Sequence, residues 1–261
     1  MMNFRRILKA GLTAGIVGLG LYSIDRKHGI SSGLSTLIQS MEIGPFPGTR
    51  FYSFLISRHF RQMYSAIAEE IIGTGDYRHI LDIGTGTGFL PVEIALQKPD
   101  IHIFGIDESA EMIQIANINS KTHGTGKSTD YSTSSYLRLP FPGMYFDLAV
   151  NVAVFHQWKD PLAVYDEVYY MLKPGAEFRI YGYRTDIPSS EWNSLEEKVP
   201  VLYRPAFSIG PEASARLSRS KEEILEIVSQ SRFDTPIIED RTFTIFGHPM
   251  PIFYMIKMHK T

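Results

Sequence analysis

The chain has 261 residues, 44% of them hydrophobic, and a formal net charge of −2. That length fits one sizeable α/β domain with extensions, and there is no cysteine, which excludes disulfides, thiolate metal sites and a cysteine nucleophile and is compatible with a reducing compartment. Residues 1–30 hold Arg5, Arg6, Lys9, Arg26 and Lys27 against Asp25, a net +4, so the remainder is −6 and a poor partner for a phosphate backbone.

In chain order, residues 1–30 stand apart as a hydrophobic, basic extension. Arg5, Arg6 and Lys9 precede Ala10 to Ile24, which is free of charge and contains the G-x-x-x-G pair Gly11 and Gly15. As a helix it reaches about 22 Å at roughly 1.5 Å per residue, short of a bilayer core about 30 Å thick. An interfacial helix with its basic residues near anionic headgroups is expected. A helix packed on the domain and a signal peptide are the alternatives, the latter without a clear cleavage site. Residues 31–57 read as a linker and cap segment around Gly44-Pro45-Phe46-Pro47-Gly48. Residues 58–72 carry the stripe Phe60, Met63, Tyr64, Ile67, Ile71 of an amphipathic helix.

The apolar run His79 to Ile83 reads as a strand buried on both faces. Gly84, Gly86 and Gly88 follow, and then a helix through Leu90, Val92, Ile94 and Ala95 with Pro91 in its first turn. Ile101 to Ile106 is the next strand and Asp107 stands at its end. Ser109 caps a helix through Met112, Ile113, Ile115 and Ala116. Lys121 to Asp130 reads as a surface loop. Its Gly126-Lys127-Ser128 lacks the earlier glycine of a P-loop, since Lys121 occupies that position. Strands are expected at Tyr131 to Tyr136, Phe146 to Asn151 and Ala176 to Gly182. Between the last two lies a helix capped by Asp160 and opened by Pro161 that ends at Lys173-Pro174-Gly175. Residues 183–219 break the βα rhythm and suggest a cap. Ser220 to Glu223 is a capping box for the next helix, and Pro236 to Glu239 with Pro251 to Met258 suit an antiparallel pair.

A strand, glycine turn and helix form a device for a nucleotide-like ligand, because glycine lets the backbone approach closely and the helix start offers free N–H groups. The spacing is G-x-G-x-G, with Phe89 where a dinucleotide fingerprint needs its third glycine; this counts against an NAD-dependent oxidoreductase. Asp107, 23 residues after Gly84, has the spacing of a ribose-binding carboxylate.

Asp82 with Gly84, Gly86 and Gly88 resembles motif I of the class I S-adenosylmethionine (SAM) methyltransferases, in which the acidic residue engages the positively charged methionine end of the cofactor. Leu139-Pro140-Phe141 to Phe146-Asp147 is similar to a region of UbiE-like small-molecule methyltransferases. In that group an Asp four residues before the Leu-Pro often contacts adenine; here the position is Ser135, a departure. Over residues 58–258 the resemblance implies a doubly wound, mostly parallel α/β sheet of seven strands with the last reversed, the class I fold. To it are added the N-terminal helical extension and the 183–219 cap insertion in a domain running over 58–261. It implies SAM as cofactor and S-adenosylhomocysteine as product. The expected cofactor-binding residues are Asp82, Gly84, Thr85, Gly86, Gly88, Asp107, Glu108, Ser135, Tyr136, Leu137 and Asn151.

His156, read as the only histidine beyond a core strand's carboxyl end, is the candidate catalytic base or a pocket-lining residue, with Tyr183 a weaker candidate. No histidine pairing points to a metal. The acidic domain and aromatic cap favour a small apolar or amphipathic acceptor such as a lipid, quinone-like compound or other metabolite. A nucleic-acid methyltransferase lacks a basic face, and Asn151 is not followed by Pro-Pro-Tyr; the absent cysteine excludes the RNA cytosine-C5 enzymes that depend on one. A non-catalytic SAM-fold binding protein is the third reading. Cytosolic SAM implies a cytoplasmic domain, placed by residues 1–30 at the inner face of a membrane. The oligomeric state is not legible.

Overall fold

The computed structural model describes residues 47–261. The expectations for residues 1–46 lie outside the described residues.

Seven strands form one sheet in the order β3-β2-β1-β4-β5-β7-β6. They are β1 (His79–Ile83), β2 (His102–Asp107), β3 (Thr129–Thr133), β4 (Phe146–Val152), β5 (Leu172–Tyr183), β6 (Ile237–Ile245) and β7 (His248–His259). The first five are mutually parallel, and β7 runs antiparallel to both β5 and β6. The expected reversed last strand is thus present, inserted between β5 and β6. β1 lies inside the sheet between β2 and β4, and its Ile80, Leu81 and Ile83 are each wholly buried, as in a strand covered on both faces.

Helices cover both faces. On one, α1 (Pro47–Thr74) and α2 (Phe89–Gln97) bury Met63, Ile67, Ile71, Leu90 and Ile94 against Ile80, Val150 and Tyr181. α3 (Ala110–His123) follows β2, with Ser109 as its N-cap, as expected from the sequence. On the opposite face, α4 (Pro161–Met171) packs Val164, Tyr165 and Val168 on Phe178 and Ile180. After β5 the chain forms α5 (Ser189–Lys198), two short helices α6 (Arg204–Phe207) and α7 (Ala213–Leu217), and α8 (Lys221–Ser229). Trp192, Leu195, Val199 and Phe207 join the α1-side core. The Ser220–Glu223 capping box is formed, a motif contributing about 1 kcal/mol.

Four local expectations are corrected. Part of the segment read as a linker is helix, since residues 47–57 belong to α1. Lys121 to Asp130 is not all loop: α3 runs to His123 and ends on left-handed Gly124 at φ 73°, and β3 begins at Thr129 rather than Tyr131. The apolar period fails there because buried hydroxyls replace apolar contacts. Ser120 Oγ lies 2.6 Å from Thr129 Oγ1, and Thr125 donates to Ser120 at 3.1 Å. Lys173-Pro174-Gly175 does not precede β5 but forms an irregularity inside it, where the pairing steps from Phe146↔Leu172 to Leu148↔Glu177. Finally, β6 does not end at Glu239 but extends to Ile245, as an edge strand whose mostly exposed side chains hide the strand pattern beyond Glu239.

The amino edge of the sheet is closed by polar contacts. Arg179, only 2% exposed, donates to Thr74 Oγ1 at 2.9 Å, to the Tyr77 hydroxyl at 2.7 Å, and from Nε to Glu177 at 2.7 Å. This ties the end of α1 to β5. Asp147 accepts from Arg78 and His79 N–H at 2.9 and 2.8 Å and from Lys173 Nζ at 2.6 Å.

Candidate active site

β1, β2, β4 and β5 all end at the opposite edge, and the sequence-predicted residues collect there. The chain leaves β1 through three left-handed glycines, Gly84, Gly86 and Gly88, at φ 73°, 53° and 76°. Their roles differ. A Cβ at Gly84 would lie 2.8 Å from Val154, and one at Gly88 would lie 2.8 Å from both Ala116 and the Tyr131 hydroxyl. These two allow close packing of the turn on its own fold. A Cβ at Gly86 would meet nothing within 4 Å, so Gly86 faces open space.

The turn is held from below. Gly84 and Thr85 N–H donate to Ile106 O at 2.8 and 2.9 Å. Asp107 accepts from Gly86 N–H at 3.0 Å through one oxygen and from Ser109 N–H at 2.8 Å through the other. Each carboxylate oxygen has a second lone pair, which leaves Asp107 able to accept from ribose hydroxyls. Burial pushes its carboxyl up, outweighing those two hydrogen bonds.

Asp82 is 2% exposed and accepts one hydrogen bond among the described residues, from Thr85 Oγ1 at 2.6 Å. Burial pushes its carboxyl up to about 7; the Thr85 bond opposes the shift and the charge of Asp107 adds to it. Such a carboxyl gains from a cation brought beside it.

Ser134 N–H donates to Asp107 O at 3.0 Å, which seats the 134–138 turn next to the β2 end. Ser135 is exposed, and its Oγ accepts from Leu137 N–H at 3.3 Å. Tyr136 is buried while Leu137 is 53% exposed, and Glu108 is exposed. Asn151 is fully buried at the end of β4, donates to Ile83 O at 2.7 Å, and keeps Oδ1 without a protein donor. An open glycine face, a carboxylate pair and a buried amide oxygen gathered at the strand ends fit a cofactor with a nucleoside and a cationic tail.

His156 sits apart from that set, on the 3-10 turn Phe155–Gln157 after β4. Its ring is 6.2 Å from that of Tyr183, edge to face. It is not the only histidine at this edge. β7 is antiparallel and Tyr183 pairs with Phe253, so His248 at its start lies beyond the end of β5. His59 stacks on Phe246 of the β6–β7 hairpin at 4.6 Å. The sequence count overlooked that a reversed strand presents its beginning where parallel strands present their ends.

Three residues near the turn were not singled out. Tyr64 of α1 stacks on Phe89 at 6.0 Å, and burial followed by the charge of Asp82 raises its hydroxyl. Tyr131 meets Gly88, its hydroxyl 3.4 Å from Gly88 O. Val154 abuts Gly84. Tyr64 gave only a helical stripe, and the other two gave no signal. A groove of about 670 Å³ between α1, α2 and the hairpin, lined by His59, Arg61, Gln62, Ser65, Glu93, Phe246 and Gly247, contains none of the expected cofactor residues.

The sheet order and the glycine–Asp107 site define the class I methyltransferase fold. A model of the methyltransferase domain family matches residues 81–180. The chain is 26% identical over 215 residues to a sterol 24-C-methyltransferase of Eremothecium gossypii, covering 80% of this chain and 54% of that one. It is 30% identical over 98 residues to a demethylmenaquinone methyltransferase of Deinococcus radiodurans, covering 38% and 40%. Among solved structures, a SAM-dependent methyltransferase from Aquifex aeolicus superposes with a TM-score of 0.56 at 18% identity, covering 87% and 98%. The chain spans about half the length of the first curated relatives it matches. Residues 81–180 thus match a methyltransferase domain, and the fold around them is that of the class I SAM-dependent methyltransferases.

Proposed function

We propose that this protein transfers a methyl group from SAM to a small apolar or amphipathic acceptor. The observation that carries the reading is the clustering of open-faced Gly86, Asp107 and buried Asp82 at one edge of the sheet. Bound SAM supplies an activated methyl on a sulfonium, so the protein's task is to orient an acceptor in line and exclude water. Asp107, braced by Gly86 N–H, holds the nucleoside side beside the open face of Gly86, Asp82 draws the cationic tail, and Asn151 Oδ1 supplies a buried acceptor. Residues 183–219 cap the strand ends: Trp192 and Phe207 lie in the same core as Tyr183, an aromatic surround that favours apolar acceptors. The names of the sterol and menaquinone relatives point the same way, and the acidic charge of residues 31–261 disfavours nucleic acid.

His156 lines the acceptor side and takes up a proton where the acceptor loses one. Labelled SAM with a lipid and metabolite extract tests this. Transfer should occur, and His156→Ala should lower turnover by about 10²-fold or more, the scale of a lost acid–base group, with SAM affinity kept. No labelled product from any fraction would defeat the reading. No described helix is long and apolar enough to cross a membrane. Peripheral contact through residues 1–30 is proposed on their charge and apolar run alone. Flotation with anionic liposomes, comparing the full chain with one starting at Ser31, decides it: equal recovery unbound rejects the contact.

A further inference from the structure

The turn that carries His156 is gripped by a residue that no part of the cofactor or acceptor reading uses. Arg219 stands at the junction between the short helices after β5 and the capping box of α8. Its guanidinium donates to Phe155 O at 3.1 Å and to Trp158 O at 2.7 Å, the carbonyls on either side of His156-Gln157. It also lies over the Phe155 ring, 5.0 Å from the centroid. A planar fork that bridges two carbonyls and stacks on the ring between them fixes the turn in three directions. The turn is short and strained at its entry, where Ala153 is left-handed at φ 60°. Inside the turn its own bonds run from Gln157 N–H to Val154 O at 2.8 Å and from Trp158 N–H to Phe155 O at 3.2 Å.

On its other side the turn meets the cofactor loop. Val154 fills the space that a side chain at Gly84 would need. The segment 153–158 is therefore held between the glycine turn and Arg219. Buried Tyr165 and Tyr254 hydroxyls stand in the surrounding core without a protein partner, and both feel the charge of Arg219. They offer no competing acceptor within hydrogen-bond reach, so the fork is left to the two carbonyls.

We propose that Arg219 is a positioning residue that fixes the His156 turn against the cofactor loop and so links the 183–219 segment to the reacting centre. This rests on the reading of His156 as an acceptor-side residue. Lysine supplies one point charge where arginine supplies a planar fork, so Arg219→Lys can satisfy one carbonyl and not both.

The test uses the full chain with S-adenosylhomocysteine added, following amide hydrogen exchange at Gln157 and Trp158 and the imidazole signals of His156, assigned by their loss in His156→Gln. Arg219→Ala should speed exchange at these two amides by about tenfold or more, the scale of one lost charge-assisted hydrogen bond. It should also split or broaden the His156 signals, while amides of β1 keep their protection. Arg219→Lys should fall between. S-adenosylhomocysteine affinity should change by less than about threefold, since Arg219 touches none of the cofactor residues. If Arg219→Ala does not fold, Arg219→Lys and Arg219→Gln carry the same readouts. Unchanged exchange and unchanged His156 signals in a folded variant overturn the inference. If the turn loosens as expected but His156→Ala transfers methyl at the wild-type rate, the role given to His156 fails while the clamp stands.

Discussion

Asp82 should make cofactor binding pH-dependent, with a sign that follows from its burial. Its carboxyl is raised from 3.8 to about 7 in the free protein. A carboxyl raised on folding favours the fold most at low pH, and that advantage is lost as pH climbs from about 4 through about 7. The loss is on the order of 4 kcal/mol for a shift of about three units in a fully buried group. A cationic ligand reverses the balance by favouring the carboxylate. At pH 6 the free protein holds about nine-tenths of a proton on Asp82, and SAM binding should expel it. Affinity should then rise about tenfold per pH unit between roughly 5.5 and 7 and level off above. Calorimetry at pH 6 in two buffers of different ionisation enthalpy counts the proton. Asp82→Asn keeps an acceptor for Thr85, loses the charge, and should show weaker, pH-flat binding with no proton release. A count near zero in the wild type, or the same pH slope in Asp82→Asn, refutes the assignment of Asp82 to the cationic tail.

The glycines should separate by role. Gly88→Ala meets Ala116 and Tyr131 at 2.8 Å in a left-handed position and should cost the fold about 2–4 kcal/mol, whereas Gly86→Ala meets nothing and should cost about 1–2 kcal/mol while weakening SAM at least about tenfold. Urea unfolding beside calorimetry checks the pair, and equal destabilisation by both would show the roles to be misassigned. Arg179→Ala leaves Glu177 and Tyr77 without their buried partner and should lose about 3–5 kcal/mol, with SAM affinity of the folded fraction retained. Arg179→Met with Glu177→Leu should recover part of that loss, and no recovery would mean that the pair is needed for more than mutual neutralisation.

The part of the site built by local backbone was legible. G-x-G-x-G after a five-residue apolar strand fixes the turn, and the spacing to Asp107 follows from one βαβ crossover, so both could be read from residue order. Residues brought in across the fold could not. Tyr64 reaches the turn only because α1 packs on α2, and its place in an ordinary apolar stripe hides this. Val154 and Arg219 act through close packing and backbone carbonyls, which leave no residue pattern. Two of the misread elements share one cause. β3 and β6 are edge strands with polar or exposed faces, so the alternation that reveals a buried strand is missing. His248 was overlooked for a topological reason, since nothing local shows that β7 runs backwards.

The two edges of the sheet divide the work. At the amino edge the charges are paired: buried Arg179 with Glu177, and partly exposed Asp147 with Lys173 and two backbone N–H groups. At the carboxyl edge Asp82 has one hydroxyl, Asn151 Oδ1 has no protein donor, and Gly86 faces open space. Buried polar groups left short of partners cost free energy in the ligand-free protein, and a ligand that satisfies them recovers it. Asp82 and Asn151 thus stand short of partners where a cationic, hydroxyl-bearing cofactor can complete them.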